Sequence, residues 1–373
     1  MNRPSLEIAD VFHKYDHLLS GISTDCYKVI RDIKNCRTER LGKHLRKCEK
    51  CEWTETSYNS CRNRHCPKCQ FLKKAKWVDE RVQELLPCPY FHVVFTLPAA
   101  LNPLILRNKR LAYDLLFRAS SETLSEVGRR RKNLGATPGF VGVLHTWGQT
   151  LTDHPHIHYI VPGGGLNEGK WIPTKRKYLF PVKVLSAVFR GKFLSALENL
   201  YRRNELRFTK QIEGLKDPVR FKSLLIESAK KPWIVYAKEP FAGPKQVINY
   251  LGQYTHRIAI SNHRLIKMKD GKIHFRYRDR QDNNKKKVMV LDVKEFMRRF
   301  LLHVLPKGFV RIRHFGFLAS RCKAKNLETL RDILETAISR AEPKTAAELL
   351  KLFIGVDITL CPNCNASLDK NSS

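Results

Sequence analysis

Three histidines alternate over five positions in Asp153-His154-Pro155-His156-Ile157-His158-Tyr159-Ile160-Val161, and the stretch runs on into apolar sequence. A strand sends every second side chain to the same face, about 6.8 Å apart. His156 and His158 therefore point one way and Ile157 points into the opposite layer. Two neutral imidazoles side by side on a rigid strand offer a divalent ion a pair of nitrogen donors. The expectation is a sheet with a metal pair on one face and core on the other.

Charge indicates what such a pair works on. Lysine and arginine outnumber the acids to a net +34 in 373 residues, more than an ordinary cytosolic enzyme carries. That excess repels itself unless a polyanion shares the surface. Nucleic acid is the expected partner, with affinity falling steeply with salt. An anionic membrane is the rival, but no apolar run reaches about 18 residues and no signal peptide precedes the charged residues. A soluble intracellular protein with no membrane role is expected. Hydrophobic content of 42% supplies a core, and the length implies two or three domains.

Eleven cysteines with C-x-x-C pairs in an intracellular chain point to zinc rather than disulfides. Cys48-x-x-Cys51 and Cys66-x-x-Cys69 are separated by fourteen residues. Each pair makes a knuckle offering two thiolates, and two knuckles complete a tetrahedral Zn²⁺ site. Cys36, His44, Cys61 and His65 form a second candidate set, and exchange of partners between the sets stays open. Arg62, Arg64 and Lys68 lie among the ligands, which suits a knuckle that touches phosphate. The tail pair Cys361/Cys364 is half a site, left to borrow a ligand, dimerise or stand as a remnant.

In order, helices are expected over 8–34, 71–86, 104–127 and 183–203, with strands at Tyr90–Leu97, Gly139–Thr150 and Trp233–Tyr236. Pro87 and Pro89 mark a boundary after the cysteine-rich part. Pro162-Gly163-Gly164-Gly165 reads as a flexible turn ending the histidine strand. Without a following Gly-Lys-Ser/Thr it is no P-loop, so no ATP site is expected. Gly243-Pro244 opens a helix carrying Tyr250 and Tyr254. A hairpin turns at Asp270-Gly271, Val288–Leu291 is a strand, Asp292 and Glu295 form a capping box, and Phe309–Leu318 is a further strand. Helices interrupted at Pro343 end the chain. The partition expected is 1–87, 88–320 and 321–373.

Tyr250 and Tyr254, four apart, share one helix face. A tyrosine hydroxyl can attack a phosphodiester and conserve the bond as phosphotyrosine, while a metal neutralises and aligns the scissile phosphate. A tyrosine pair at that spacing is otherwise ordinary packing.

With these residues in view, the chain resembles a known family. His156-Ile157-His158 is similar to the histidine–hydrophobe–histidine (HUH) motif of rolling-circle endonucleases. Ser60-Cys61-Arg62-Asn63-Arg64-His65-Cys66-Pro67-Lys68-Cys69 resembles the zinc-binding domain of bacterial transposases in insertion sequence family ninety-one. Tyr90 to Pro98, Leu144 to Gly165, Tyr250 to Asn262 and Arg311 to Ala319 also resemble that family, and the likeness covers roughly residues 10–320.

The resemblance implies an α+β fold. An HUH endonuclease core, a central antiparallel sheet flanked by helices, follows a small helix-bearing zinc-binding domain. It implies a two-tyrosine transposase of the bacterial cytoplasm that nicks and rejoins single-stranded DNA by a rolling-circle route. Tyr250 or Tyr254 would form a 5′-phosphotyrosine, and His156 and His158 would bind Mg²⁺ or Mn²⁺. For the third ligand, His145 lies eleven residues before His156, as in three-histidine relaxases, and Gln149 seven before, where some replication initiators place a carboxylate. Both have the right parity. Gln149 is favoured, because a tight hairpin near Thr152-Asp153 would set it opposite His156. His154 belongs to the turn, and Arg257 is a phosphate-contact candidate. Two rival readings are a histidine-triad nucleotide hydrolase, opposed by Pro155 and by the charge, and a non-enzymatic zinc DNA-binding regulator, which leaves the histidine strand unused.

Overall fold

The computed structural model describes residues 4–174, 179–238, 252, 259–279, 282–335, 342 and 344–368. The N-terminal part begins with α1 (Ile8–Tyr15) and α2 (Thr24–Asn35). The single helical stretch expected over 8–34 is broken. Gly21 takes a positive φ of 64° and Ser23 restarts the helix, its hydroxyl accepting from the Cys26 amide at 3.3 Å. A ribbon follows, β1 (Lys43–Lys47) paired antiparallel with β2 (Thr54–Tyr58), and then α3 (Phe71–Gln83).

The central sheet takes its strands from far apart. These are β3 (Tyr90–Thr96), β5 (Phe140–Trp147), β6 (Asp153–Pro162), β9 (Val235–Lys238) and β13 (Ile312–Phe315), in the antiparallel order β13-β5-β6-β3-β9. A second small sheet joins β4 (Thr137–Pro138), β7 (Gly164–Asn167) and β8 (Lys170–Pro173). Of the glycines after Pro162, Gly163 makes a bend while Gly164 and Gly165 open a strand rather than a flexible turn. The Trp171 indole crosses Gly164 so closely that a Cβ there would meet it at 2.2 Å. A third sheet is the meander β10 (Leu265–Lys269), β11 (Lys272–Asp279) and β12 (Lys285–Asp292), turning at Asp270-Gly271 as expected.

The helices of the larger part are α4 (Asn102–Arg107), α5 (Lys109–Arg129), α6 (Val182–Arg202), α7 (Pro218–Ala229), α8 (Val293–Leu302), α9 (Lys323–Ile333) and α10 (Ala346–Ile354). Asp292 caps α8 by accepting from the Lys294 amide at 2.9 Å, while Glu295 pairs with Arg298 and Arg299 instead of closing a box. The strand expected over Phe309–Leu318 shortens to β13, followed by a 3₁₀ turn over Gly316–Leu318.

Strand parity sorts the central sheet into two faces. Phe91, Val93 and Phe95, with Phe140, Leu144, Ile157, Tyr159 and Val161, face α5 and α6 in the largest core. There the Phe95 ring meets Phe189 at 5.0 Å, and Phe189 meets Trp233 at 5.2 Å. Burying one such ring contributes about 2–3 kcal/mol. On the other face Tyr90, Val141 and Ile160 pack under Trp77 and Val78 of α3 and Leu327 and Leu330 of α9. The histidines occupy the remaining end of that face.

The cores cut across the expected partition at residue 87. Ile8, Phe12, Ile30 and Ile33 share a core with Phe275, Phe296 and Phe300, and the Phe12 and Phe300 rings lie 5.7 Å apart. The tail does not stand apart either: Cys361 and Leu368 pack with Cys48. Among the described residues, no helix is long and apolar enough to cross a membrane.

Candidate metal centre and cysteine clusters

Register builds the histidine site. β5 and β6 pair so that His145 lies directly opposite His156, and Val143 opposite His158. His145, His156 and His158 therefore share one face, and their candidate ligand atoms all lie within 4.8 Å of one another. The ring centroids are 5.4 Å apart for His145–His156, 4.4 Å for His145–His158 and 4.8 Å for His156–His158. All three are buried, at 3%, 7% and 8% exposure, so their donors are held away from bulk water.

Their outer nitrogens explain how the rings are aimed. His156 Nδ1 lies 2.6 Å from the His154 carbonyl oxygen. A carbonyl only accepts, so Nδ1 carries the proton and Nε2 presents its lone pair. His158 Nδ1 lies 2.7 Å from Nε2 of His92 on β3, and the two rings are near-parallel, 5.0 Å between centroids and 8° between planes. For His158 to offer Nε2 to an ion its Nδ1 must donate, and His92 Nε2 is then the acceptor. Burial holds His92 down to about 4, so it stays neutral and able to accept. His145 is fixed by stacking on Trp147, at 4.8 Å between centroids. This donor set fits a divalent ion: three imidazoles converge, and the Nδ1 atoms of His156 and His158 are engaged away from the convergence point.

The preference for Gln149 as third ligand is not supported. The β5–β6 turn falls earlier than expected, over residues 148–152, with Leu151 at a positive φ of 62° and its amide bonded to the Gly148 carbonyl. That shift puts His145, not Gln149, across from His156. Gln149 lies in the loop, where its carbonyl accepts from Arg264 at 2.6 Å and its side-chain oxygen from the Arg278 amide at 3.5 Å. His154 contributes its carbonyl and does not join the convergent set. Tyr250, Tyr254 and Arg257 lie outside the described residues. Gly252 is described, and a Cβ there would meet Val78 at 2.2 Å. Val78 belongs to the core on the histidine side of the sheet.

The cysteines group differently from the spacing-based expectation. Cys66 and Cys69 join Cys36 and Cys61, with Cys36–Cys69 sulfurs at 3.0 Å and Cys61–Cys69 at 3.5 Å. Cys48 and Cys51 lie at the tip of the β1–β2 ribbon, away from that set, and meet Cys361 and Cys364. The Trp53 amide aimed at Cys51 draws that thiol down to about 6. Neither histidine of the expected second set joins a cluster. His65 donates from Nδ1 to Asn63 at 3.0 Å and accepts at Nε2 from the Leu305 amide at 3.1 Å, and burial lowers it to about 3. His44 bonds the Asn59 amide oxygen at 2.8 Å on the exposed ribbon.

Two of the expected phosphate contacts turn inward. Arg64 donates to the carbonyls of Phe309 and Pro306 at 2.5 and 3.0 Å, and Lys68 pairs with Glu7. Arg62 stays exposed. A stronger basic surface lies on the meander, where the outer face carries Lys272, Arg276 and Arg278 on β11 beside Lys286 and Val288 on β12. Alternating cations along 272–278 were the available signal, once Ile273 and Phe275 are read as the core face.

Comparison with known proteins follows the same lines. The sequence model of the family described as "Putative transposase" matches residues 139–326, and that of the "Transposase zinc-binding domain" matches residues 7–97. The "Putative transposase y4qJ" of Sinorhizobium fredii (strain NBRC 101917 / NGR234) is 43% identical over 375 residues, spanning 98% of this chain and 94% of that protein. The "Transposase for insertion sequence element IS801" of Pseudomonas savastanoi pv. phaseolicola is 28% identical over 380 residues, spanning 98% of this chain and 88% of that protein. A solved structure of the conjugative relaxase TrwC in complex with oriT DNA, metal-bound, shares 15% identity over 45% of this chain and 71% of that one, with a TM-score of 0.25.

Proposed function

The chain belongs to the IS91 family of transposases with an N-terminal zinc-binding domain, and we propose that it cuts and rejoins single-stranded DNA through Tyr250 and Tyr254 beside a divalent ion held by His145, His156 and His158. The observation that carries this reading is the convergence of three buried imidazoles on one sheet face, two of them with Nδ1 engaged and Nε2 turned inward. A core histidine needs one partner. Here three bring ring nitrogens within 4.8 Å of one another, the spacing of donors around a single ion. Bound there, a divalent ion would neutralise a scissile phosphate and polarise it toward attack. Of Mg²⁺ and Mn²⁺, three nitrogen donors, with no carboxylate joining them among the described residues, favour Mn²⁺.

The chain's own part is nucleophile and grip. A tyrosine oxygen attacks phosphorus, the bond to the 3′ oxygen breaks, and the tyrosine proton passes to that leaving oxygen. The products are a 5′-phosphotyrosine and a free 3′-OH, and a second tyrosine allows the transfer to be repeated on another strand. Gly252, between the two tyrosines in sequence, lies against Val78 on the histidine side, which supports their meeting the ion. The exposed cations Lys272, Arg276, Arg278 and Lys286 supply phosphate contacts for the strand.

Incubation of the full-length protein with labelled single-stranded element ends and Mn²⁺ tests the proposal. A covalent adduct at a 5′ end, lost in Tyr250→Phe/Tyr254→Phe, is expected. DNA binding without an adduct, in protein shown to be folded and metal-loaded, would favour the non-enzymatic regulator. A histidine-triad hydrolase would instead turn over a nucleotide analogue.

A further inference from the structure

The cysteines of the ribbon tip and the tail form one built unit, although Cys51 and Cys361 are 310 residues apart. Cys48 Sγ lies 3.6 Å from Cys364 Sγ, and Cys51 Sγ lies 3.6 Å from Cys361 Sγ. Four thiolates on one tetrahedral ion, with zinc–sulfur bonds of about 2.3 Å, stand about 3.7 Å apart. Cys48 and Cys361 are 1% and 0% exposed, and Leu368 closes over them beside Trp53 and Ala366.

The two halves repeat each other residue by residue. In the ribbon the Cys48 amide donates to the Trp53 carbonyl at 2.8 Å, and in the tail the Cys361 amide donates to the Ala366 carbonyl at 2.8 Å. After each second cysteine the chain turns through a left-handed residue, Glu52 at φ 56° and Asn365 at φ 59°. That turn aims the next amide back at the sulfur, Trp53 N–H at Cys51 and Ala366 N–H at Cys364. Left-handed non-glycine residues carry strain. Its repetition at equivalent positions in two unrelated segments marks both as metal knuckles. The tail is seated by further contacts: Arg46 donates to the Ile358 carbonyl at 3.1 Å, Asn363 donates to Cys51 Sγ at 3.5 Å, and Lys344 pairs with Asp79 of α3 at 2.6 Å.

We propose that Cys48, Cys51, Cys361 and Cys364 bind a second Zn²⁺, separate from the one suited to Cys36, Cys61, Cys66 and Cys69, and that this ion clasps the C-terminal tail to the N-terminal ribbon. The ribbon's site is incomplete until the segment that carries Cys361 and Cys364 is in place. The tail in turn holds α10 along α3, the helix that covers the histidine side of the central sheet. The clasp does not depend on the histidine site or on the reading of its chemistry.

Metal analysis of the full-length protein tests this. Two zinc ions per chain are expected in the unaltered protein and one in Cys361→Ser/Cys364→Ser, whereas His145→Ala keeps both. Thiol alkylation mapped by mass spectrometry gives a second measurement that needs no variant. Cys48, Cys51, Cys361 and Cys364 should be protected together and exposed together by a chelator. One zinc per chain with Cys361 and Cys364 freely alkylated, a disulfide among the four, or two zinc ions retained in the tail variant would overturn the proposal.

Discussion

Replacing His92 by alanine isolates what orients a ligand from what binds the ion. His92 meets His158 by the 2.7 Å contact, the two rings lying near-parallel. Without it, the His158 N–H is left buried at 8% exposure with its acceptor removed, and the ring loses its stop. Leaving a buried donor unsatisfied costs about 1–3 kcal/mol. If that cost falls on the metal-binding tautomer, Mn²⁺ affinity drops about 10- to 100-fold, the range typical of lost outer partners. Isothermal titration of metal-free protein reads the affinity directly, and adduct formation across a Mn²⁺ series reads its consequence. His92→Ala should need more Mn²⁺ for half-maximal cleavage and approach the unaltered rate at saturation. His92→Gln, whose amide oxygen can accept, should recover most of the loss, while His158→Ala should not be rescued by metal. Mn²⁺ affinity in His92→Ala within threefold of the unaltered protein, with the fold intact by circular dichroism, would refute the orienting role.

Other expectations follow from the same geometry. His145→Ala should cut Mn²⁺-dependent adduct formation by at least about 100-fold, as loss of a ligand, whereas Gln149→Ala should stay within about threefold; the reverse ranking in a gel assay would restore the loop residue as ligand. Gly252→Ala should slow cleavage because its Cβ would meet Val78 at 2.2 Å, and Val78→Ala should restore the rate; no rescue would mean the two segments do not press on each other. Buried His303, with Nε2 donating to the Leu151 carbonyl at 3.1 Å, is lowered by burial to about 3. Unfolded histidine titrates near about 6.5, so between these values the unfolded chain binds the extra proton. Stability is then fully present above pH 6.5 and falls by about 1.4 kcal/mol per pH unit below it from this residue alone. Urea midpoints at pH 7.0, 6.0 and 5.0 should decline accordingly, and the slope should lessen in His303→Asn.

How far the sequence could be read depends on the range over which each feature is decided. Alternation of His154, His156 and His158 is local, so the strand, its faces and the side-by-side placement of His156 and His158 were legible before any fold was known. That His145 joins them was not, because it turns on register. Register is set by a loop whose decisive residue, Leu151 in a left-handed conformation, carries none of the glycine or asparagine signature that marks such turns. The C-x-x-C spacing likewise identified each knuckle but not its mate. Nearness in sequence suggested Cys48/Cys51 with Cys66/Cys69, whereas the ribbon carries the first pair to the tail and Cys36 and Cys61 complete the second. His92 escaped notice because it sits in a strand that is apolar and buried along almost its whole length. Its signal was energetic: an imidazole at an interior position of a strand buried on both faces needs a polar partner, and on this face the candidates are the histidines of β6. The same reasoning separates the basic residues. Arg64 and Lys68, adjacent to the knuckles, are consumed by carbonyls and a carboxylate, while the cations of β11 stand on the one face of their strand that the core does not claim. For a chain this basic, the informative question is which cations the fold leaves unspent, and the strand whose other face is committed to the core answers it.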